Sequence, residues 1–238
     1  ELAADHDLDT LVLRDPAALT WLLEARVHVP QTLDTACLDV CVDAGSGTVT
    51  VYTNAIEAPR LADIELAGLP VQWQVNPWWA DRLAALPRGP RVGTDRPYAD
   101  CRDLAAPLVA LRRTLTTRQQ RLIAEVAQDT AQAATAAAHR LDPAMTETAA
   151  AGALAEELLS RGLDPIVLFA AGQEHVDRHR HPLPTPAVLG DRVMLVCCAR
   201  RHGLVASVTR LISFPQVGPG FDASTYDDLL QVEAAFLE

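Results

Sequence analysis

The alternation of apolar and polar positions sets out the chain before any single residue does. LDTLVLR (8–14) is a short apolar run that predicts a strand, and DPAALTWLLEA (15–25) follows with helical spacing and a proline in its first turn. CLDVCVDAGSGTVTVYTN (37–54) alternates, turns through Gly-Ser-Gly and alternates again on β-branched residues, the pattern of a hairpin. Helical spacing over 54–66, a strand over 69–75, a helix over 77–86 and a Pro/Gly connector holding one short strand (87–95) complete an α/β layer pattern.

The texture changes near Leu111–Leu115. Thr116 with Gln119 makes a capping-box pattern, and a long Ala-rich helix runs from it to about Leu141. DPAMTE (142–147) breaks that helix, and a second one runs to Ser160 and stops at Gly162. A strand at 164–170, an ordered loop rich in His, Arg and Pro (173–186), a hairpin over 190–210 and a helix from about Thr225 to the end follow. Two domains are expected: α/β over 1–113 and α+β over 114–238.

Composition narrows the classes. Apolar residues make up 49% of the chain and charged ones 21%, as in a soluble globular protein. The net charge of −11 argues against a nucleic-acid or anionic-membrane surface. No apolar run reaches the length of a membrane span. There is no lysine, which excludes Schiff-base and P-loop lysine chemistry. Five cysteines, an odd number, suit a reducing cytoplasm better than a disulfide framework, and Cys37 and Cys41 read as packed thiols rather than zinc ligands. Trp78–Trp79 reads either as a recognition surface or as a helix start packed on the sheet.

Several segments, in this order and spacing, resemble the creatinase/prolidase superfamily of pita-bread peptidases. LDTLVLRDPAALTWLLEAR and RVGTD resemble its N-terminal domain. LRRTLTTRQQRLIAEVAQDTAQAA resembles the entry to the first pita-bread helix, LDPAMTETAAAGALAEELLSRG the second helix with its Met-Thr-Glu element, and GDRVMLVCCARRHGLVASVTR the hairpin. The resemblance implies a creatinase-like α/β domain followed by a pita-bread α+β domain of which the first half is present. It also implies a dimer.

In the family's metallopeptidases that hairpin supplies an aspartate from each strand to a pair of divalent ions, because two adjacent cations need bridging carboxylates. Aligned on Gly190-Asp191 and Thr209-Arg210, this chain has Val196 and Ser207 at those positions. No metal is therefore expected; Mn, Co or Zn would enter only if that alignment were wrong. Creatinase itself works without metal through a histidine, and two histidines compete for its place. His179 is the gapless match, eleven residues before Gly190, and His181 matches by local motif.

Segment 178–210 carries six arginines against Asp191 alone. This suggests a cleft for a small carboxylate or peptide ligand, contacted by Arg210 with His179 or His181. The competing reading gives Arg200, Arg201 and His202 to an exposed hairpin tip and Arg210 to a structural ion pair. The leading expectation is a cytoplasmic peptidase-like protein that acts by binding or assembly. The alternatives are a metal-free C–N hydrolase and an Xaa-Pro peptidase completed by sequence beyond residue 238. Adjacent strand residues point to opposite faces, so Cys197 and Cys198 cannot share one ion.

Overall fold

The computed structural model describes residues 1–27 and 35–237. The chain divides into two compact units, Glu1–Gln119 and Gln120–Glu238, and the division falls in the first turn of a long helix.

The first unit is built on a six-stranded mixed sheet of β1 (Thr10–Leu13), β2 (Leu38–Asp43), β3 (Val49–Asn54), β4 (Val71–Asn76), β5 (Val92–Thr94) and β6 (Arg102–Asp103), in the order β4-β3-β2-β1-β5-β6. Strand β1 pairs antiparallel with β2 and parallel with β5. Alternation along β1 sends Leu13 into a cluster with Leu19, Leu38, Val40, Leu61 and Leu104. It sends Val12 to the other face with Cys41, Leu86 and Val92. The sheet is thus covered on both sides. Burial pushes the Cys41 thiol up to about 12, as for a packed small hydrophobe.

Among the described residues six helices belong to this unit or begin in it: α1 (Leu2–Asp5), α2 (Pro16–Leu23), α3 (Ala58–Arg60, continued as a wider π-type turn over Leu61–Glu65), α4 (Arg82–Ala85), α5 (Ala105–Arg112) and α6 (Thr117–His139). The carboxylate of Asp15 caps α2, accepting from the amides of Ala17 and Ala18 at 3.1 Å. Asp15→Ala should cost about 1 kcal/mol in urea unfolding, the usual worth of an N-cap. Thr116 and Gln119 form the reciprocal cap of α6: the Thr116 amide donates to Gln119 Oε1 at 2.9 Å and the Gln119 amide to Thr116 Oγ1 at 3.2 Å.

The helix expected over 77–86 is only one turn long. Trp78 and Trp79 lie in the turn before it, edge to face with ring centroids 5.7 Å apart, and are 63% and 73% exposed. They are not a helix start packed on the sheet. Pro77 and the N-cap Asp81 delay the helix to Arg82. Helix α5 covers AAPLVALR and buries Leu108.

The second unit backs a three-stranded antiparallel sheet with two helices. Strands β7 (Asp164–Ala171), β8 (Arg192–Arg201) and β9 (Leu204–Ser213) lie in that order. Helix α7 (Glu147–Leu159) follows α6 in the chain and ends in a Schellman arrangement, with Gly162 at φ +68° and the Leu163 amide bonded to the Leu158 carbonyl. Leu154, Leu158, Ala133 and Ala137 of the helices pack on Val193, Leu195, Cys197 and Ala199, one alternate row of β8. The β8–β9 loop is His202–Gly203, both at positive φ (55° and 73°), which is the primed turn suited to a tight hairpin. Helix α8 (Ala223–Leu237) exposes Tyr226, Leu229, Leu230, Val232 and Phe236, and Glu238 lies outside the described residues. Among the described residues no helix is long and apolar enough to cross a membrane.

Candidate functional site

One face of β7–β9 meets the helices; the opposite face is open. The open row comprises Val167 and Phe169 on β7, Met194, Val196 and Cys198 on β8, and Ser207, Thr209 and Leu211 on β9. Phe169 stands opposite Val196, Val196 opposite Thr209, and Cys198 opposite Ser207. Val196 and Ser207 therefore share one face as diagonal neighbours, and the Ser207 hydroxyl reaches Cys198 Sγ at 3.1 Å. Cys197 faces the helices instead, and its burial raises its thiol to about 11.

A groove of about 730 Å³ lies on this face. Val167, Phe169, Met194, Val196, Cys198 and Thr209 form its floor, and Arg180, His181 and Leu183 come over it from the loop 172–191. The His181 ring leans on Phe169 with centroids 5.7 Å apart. The same three loop residues border a second cavity of about 490 Å³, which His175, Arg178, His179, Pro182 and Thr185 complete. Among the described residues no carboxylate lines either cavity.

Glu147 fixes the loop. It is the first residue of α7 and fully buried, and Thr146 caps the helix ahead of it. Its Oε1 accepts from the Gly172 amide at 2.8 Å, and its Oε2 from the Thr185 amide at 3.1 Å and the Thr185 hydroxyl at 2.6 Å. His175 Nδ1 lies 2.9 and 3.1 Å from the two oxygens; an ionised carboxylate only accepts, so Nδ1 carries the proton. Burial works to raise this carboxyl, but the donors from Thr185, Gly172 and His175 outweigh it and hold the pKa below the ordinary value. The helix N-terminus also favours the negative charge. The His175 ring lies tilted against that of His179, centroids 5.5 Å apart, and both line the second cavity, so the network reaches it.

The structure separates the residues singled out in the sequence. His181 lies in the groove beside Val196, whereas His179 lines only the adjoining cavity. Arg210 is on the other side of the sheet. Alternation along β9 turns it toward α6, where its Nε reaches Thr135 Oγ1 at 3.2 Å and Nη2 the Ala131 carbonyl at 3.5 Å. Arg210 is therefore not brought together with His179 or His181, and among the described residues it has no ion pair.

The expectation of uncompensated charge needs a similar correction. Arg192 pairs with Asp177 at 2.5 Å, Arg200 with Asp164 at 3.7 Å and Arg201 with Asp129 at 2.7 Å, all acids from outside 178–210. Among the described residues Arg178 and Arg180 have no carboxylate within 4.0 Å. Asp191 is structural: it accepts from the Gly220 amide at 3.0 Å, and its carbonyl accepts from the Phe214 amide at 2.7 Å.

A mixed α/β sheet domain followed by a helix-backed antiparallel sheet defines the fold class of the prolidases and Xaa-Pro aminopeptidases, with the second unit matching part of a pita-bread domain. No protein-family model and no curated protein matches the sequence. Among solved structures, the prolidase from Pyrococcus horikoshii OT3 superposes with a TM-score of 0.69 at 14% identity, over 92% of this chain and 64% of that one. The prolidase from Pyrococcus furiosus gives 0.65 at 14% identity, over 93% and 66%. The X-Pro aminopeptidase from Thermotoga maritima MSB8 gives 0.65 at 12% identity, over 93% and 64%. The chain thus spans about two thirds of the length of these proteins.

The sequence reading missed the Glu147–His175–Thr185 network. Glu147 stood in the Met-Thr-Glu element without a role, and His175 shares a four-residue spacing with His179 in the segment HVDRH. Arg180, which has no carboxylate within 4.0 Å among the described residues, stands over the groove, and nothing in its local sequence distinguishes it from the other arginines of the segment.

Proposed function

We propose that this chain is an Xaa-Pro peptidase-like scaffold that binds a ligand on the open face of β7–β9 and does not perform dinuclear metal hydrolysis there. The observation that carries this reading is the lining of the groove. Val196 and Ser207, the residues aligned with the hairpin aspartates, lie on one face, and the floor of the groove that Val196 helps to form is largely apolar. A valine offers no donor, and a serine hydroxyl offers one neutral oxygen where two cations need shared negative charge. The residues present do not fit a dinuclear centre, so no step is routed through one.

Metal analysis of the purified chain after incubation with Mn, Co or Zn, with hydrolysis of Xaa-Pro dipeptides measured in parallel, tests this. The expected result is no stoichiometric ion and no turnover. Two ions per chain together with turnover would overturn it. Dimerisation, implied by the family resemblance, belongs to the same proposal and is read by sedimentation.

One observation favours a second reading, a metal-free hydrolase. His181 lies beside Val196 in the groove and leans on Phe169, in place for proton transfer to a bound ligand. On this reading His181→Ala abolishes any amidine or amide hydrolysis while His179→Ala spares it, and equal loss in both variants would count against it.

A further inference from the structure

The two cavities on the open face have opposite characters and share a wall. The groove is floored by Val167, Phe169, Met194, Val196 and Cys198. The adjoining cavity is bordered by His175, Arg178, His179, Arg180 and His181, with no acid among the described residues that line it. Arg180, His181 and Leu183 stand between them and belong to both. Arg178 and Arg180 have no carboxylate within 4.0 Å among the described residues, although the chain carries a net charge of −11. Such an acidic chain could have paired these cations, as it paired Arg192, Arg200 and Arg201.

From this juxtaposition we infer that the site takes a single-tailed amphiphile with an anionic head, the tail on the groove floor and the head against Arg180 and the cationic cavity. The inference rests on the ligand-binding reading above and names its ligand class. Apolar floor and a few convergent charges are the usual make-up of small-molecule pockets, and a volume of about 730 Å³ lies in their range. A guanidinium matches carboxylate or phosphate oxygens in a fork. The lining also argues against a zwitterion or a peptide amino terminus. An ammonium entering either cavity would find no carboxylate among the described lining residues and would lie near arginine.

Cys198 on the groove floor is partly exposed and serves as the reporter. Its alkylation by iodoacetamide, mapped by mass spectrometry on the whole chain, is measured with octanoate, octyl phosphate, octanol and octylamine below micelle-forming concentrations. Both anions should slow alkylation of Cys198 about tenfold more effectively than octanol or octylamine at equal concentration, the worth of about one charge-assisted hydrogen bond. The ratio of octanoate to octyl phosphate separates a carboxylate from a phosphate head. Arg180→Glu, on an exposed loop, should reverse the preference so that octylamine protects and octanoate does not.

Equal protection by octanoate and octanol would overturn the inference, as would an Arg180→Glu variant that keeps the anion preference. Protection without any ligand that disappears on dilution would also overturn it, because a second copy would then occupy the face. Each of these results leaves standing the reading that the chain lacks dinuclear metal hydrolysis, which metal content and turnover test separately.

Discussion

Glu147→Ala is expected to cost the second unit about 3–5 kcal/mol, enough to unfold a marginal domain. The substitution leaves the Gly172 and Thr185 amides and the Thr185 hydroxyl without their acceptor in a fully buried place. Each orphaned donor costs about 1–3 kcal/mol. The loss should appear in hydrogen exchange followed by mass spectrometry across a denaturant series, in peptides of the second unit, with those of the first unit unchanged.

The same carboxyl gives the unit a pH dependence of known sign. Its folded-state pKa lies below the ordinary value of 4.5. Its contribution is therefore complete above that value and is lost as the pH falls through the folded-state pKa. Above about pH 4.5 this group should leave stability unchanged, the loss should set in as the pH falls below that value, and Glu147→Gln should show a flatter acid limb there. An identical acid limb in both proteins would refute the charge assignment.

Gly172→Ala should be nearly as severe, about 2–4 kcal/mol by denaturant titration. A methyl group at this position would meet the Leu189 carbonyl at 2.5 Å, the Leu189 Cα at 2.7 Å and the Val188 carbonyl at 2.8 Å, all backbone. Nothing there yields as a flexible side chain would. The shift needed to relieve the clash also pulls the Gly172 amide from Glu147. The double variant with Glu147→Ala should therefore lose clearly less than the sum, since both changes break one network. Strict additivity would show that glycine serves only close packing.

The parts of this fold that could be read from sequence are those governed by local pattern. The hairpins, the cap at Thr116, the stop at Gly162 and the two long helices each rest on a few adjacent residues. The single-turn α4 was overread because the apolar spacing around Trp78 and Trp79 resembles a helix until the Asp81 cap is counted. Placement across the sheet was legible where alternation applies: Val196 and Cys198 fall on one face and Cys197 on the other. The same rule, carried along β9, would have turned Arg210 away from the groove. The ion pairs of Arg192, Arg200 and Arg201 were not legible, because their partners Asp177, Asp164 and Asp129 come together only through the fold. Likewise, the Glu147 network joins residues 147, 172, 175 and 185, and no local spacing announces it.

The two alternate rows of β8 are both apolar at their centre, Val193, Leu195, Cys197 and Ala199 on one side and Met194, Val196 and Cys198 on the other. Hydrophobicity alone therefore barely distinguishes the strand from itself moved by one residue. Its register is held at the ends, by the His202–Gly203 turn beyond one and by the Asp191 contacts at the other. The chain is thus far more exposed to insertions and deletions than to point changes along this strand. Losing one residue between Asp191 and Met194 would bring the Leu195 and Cys197 row into the groove and bury Val196 and Cys198, with little penalty in polarity. Length, rather than identity, is the quantity that selection must guard in this segment.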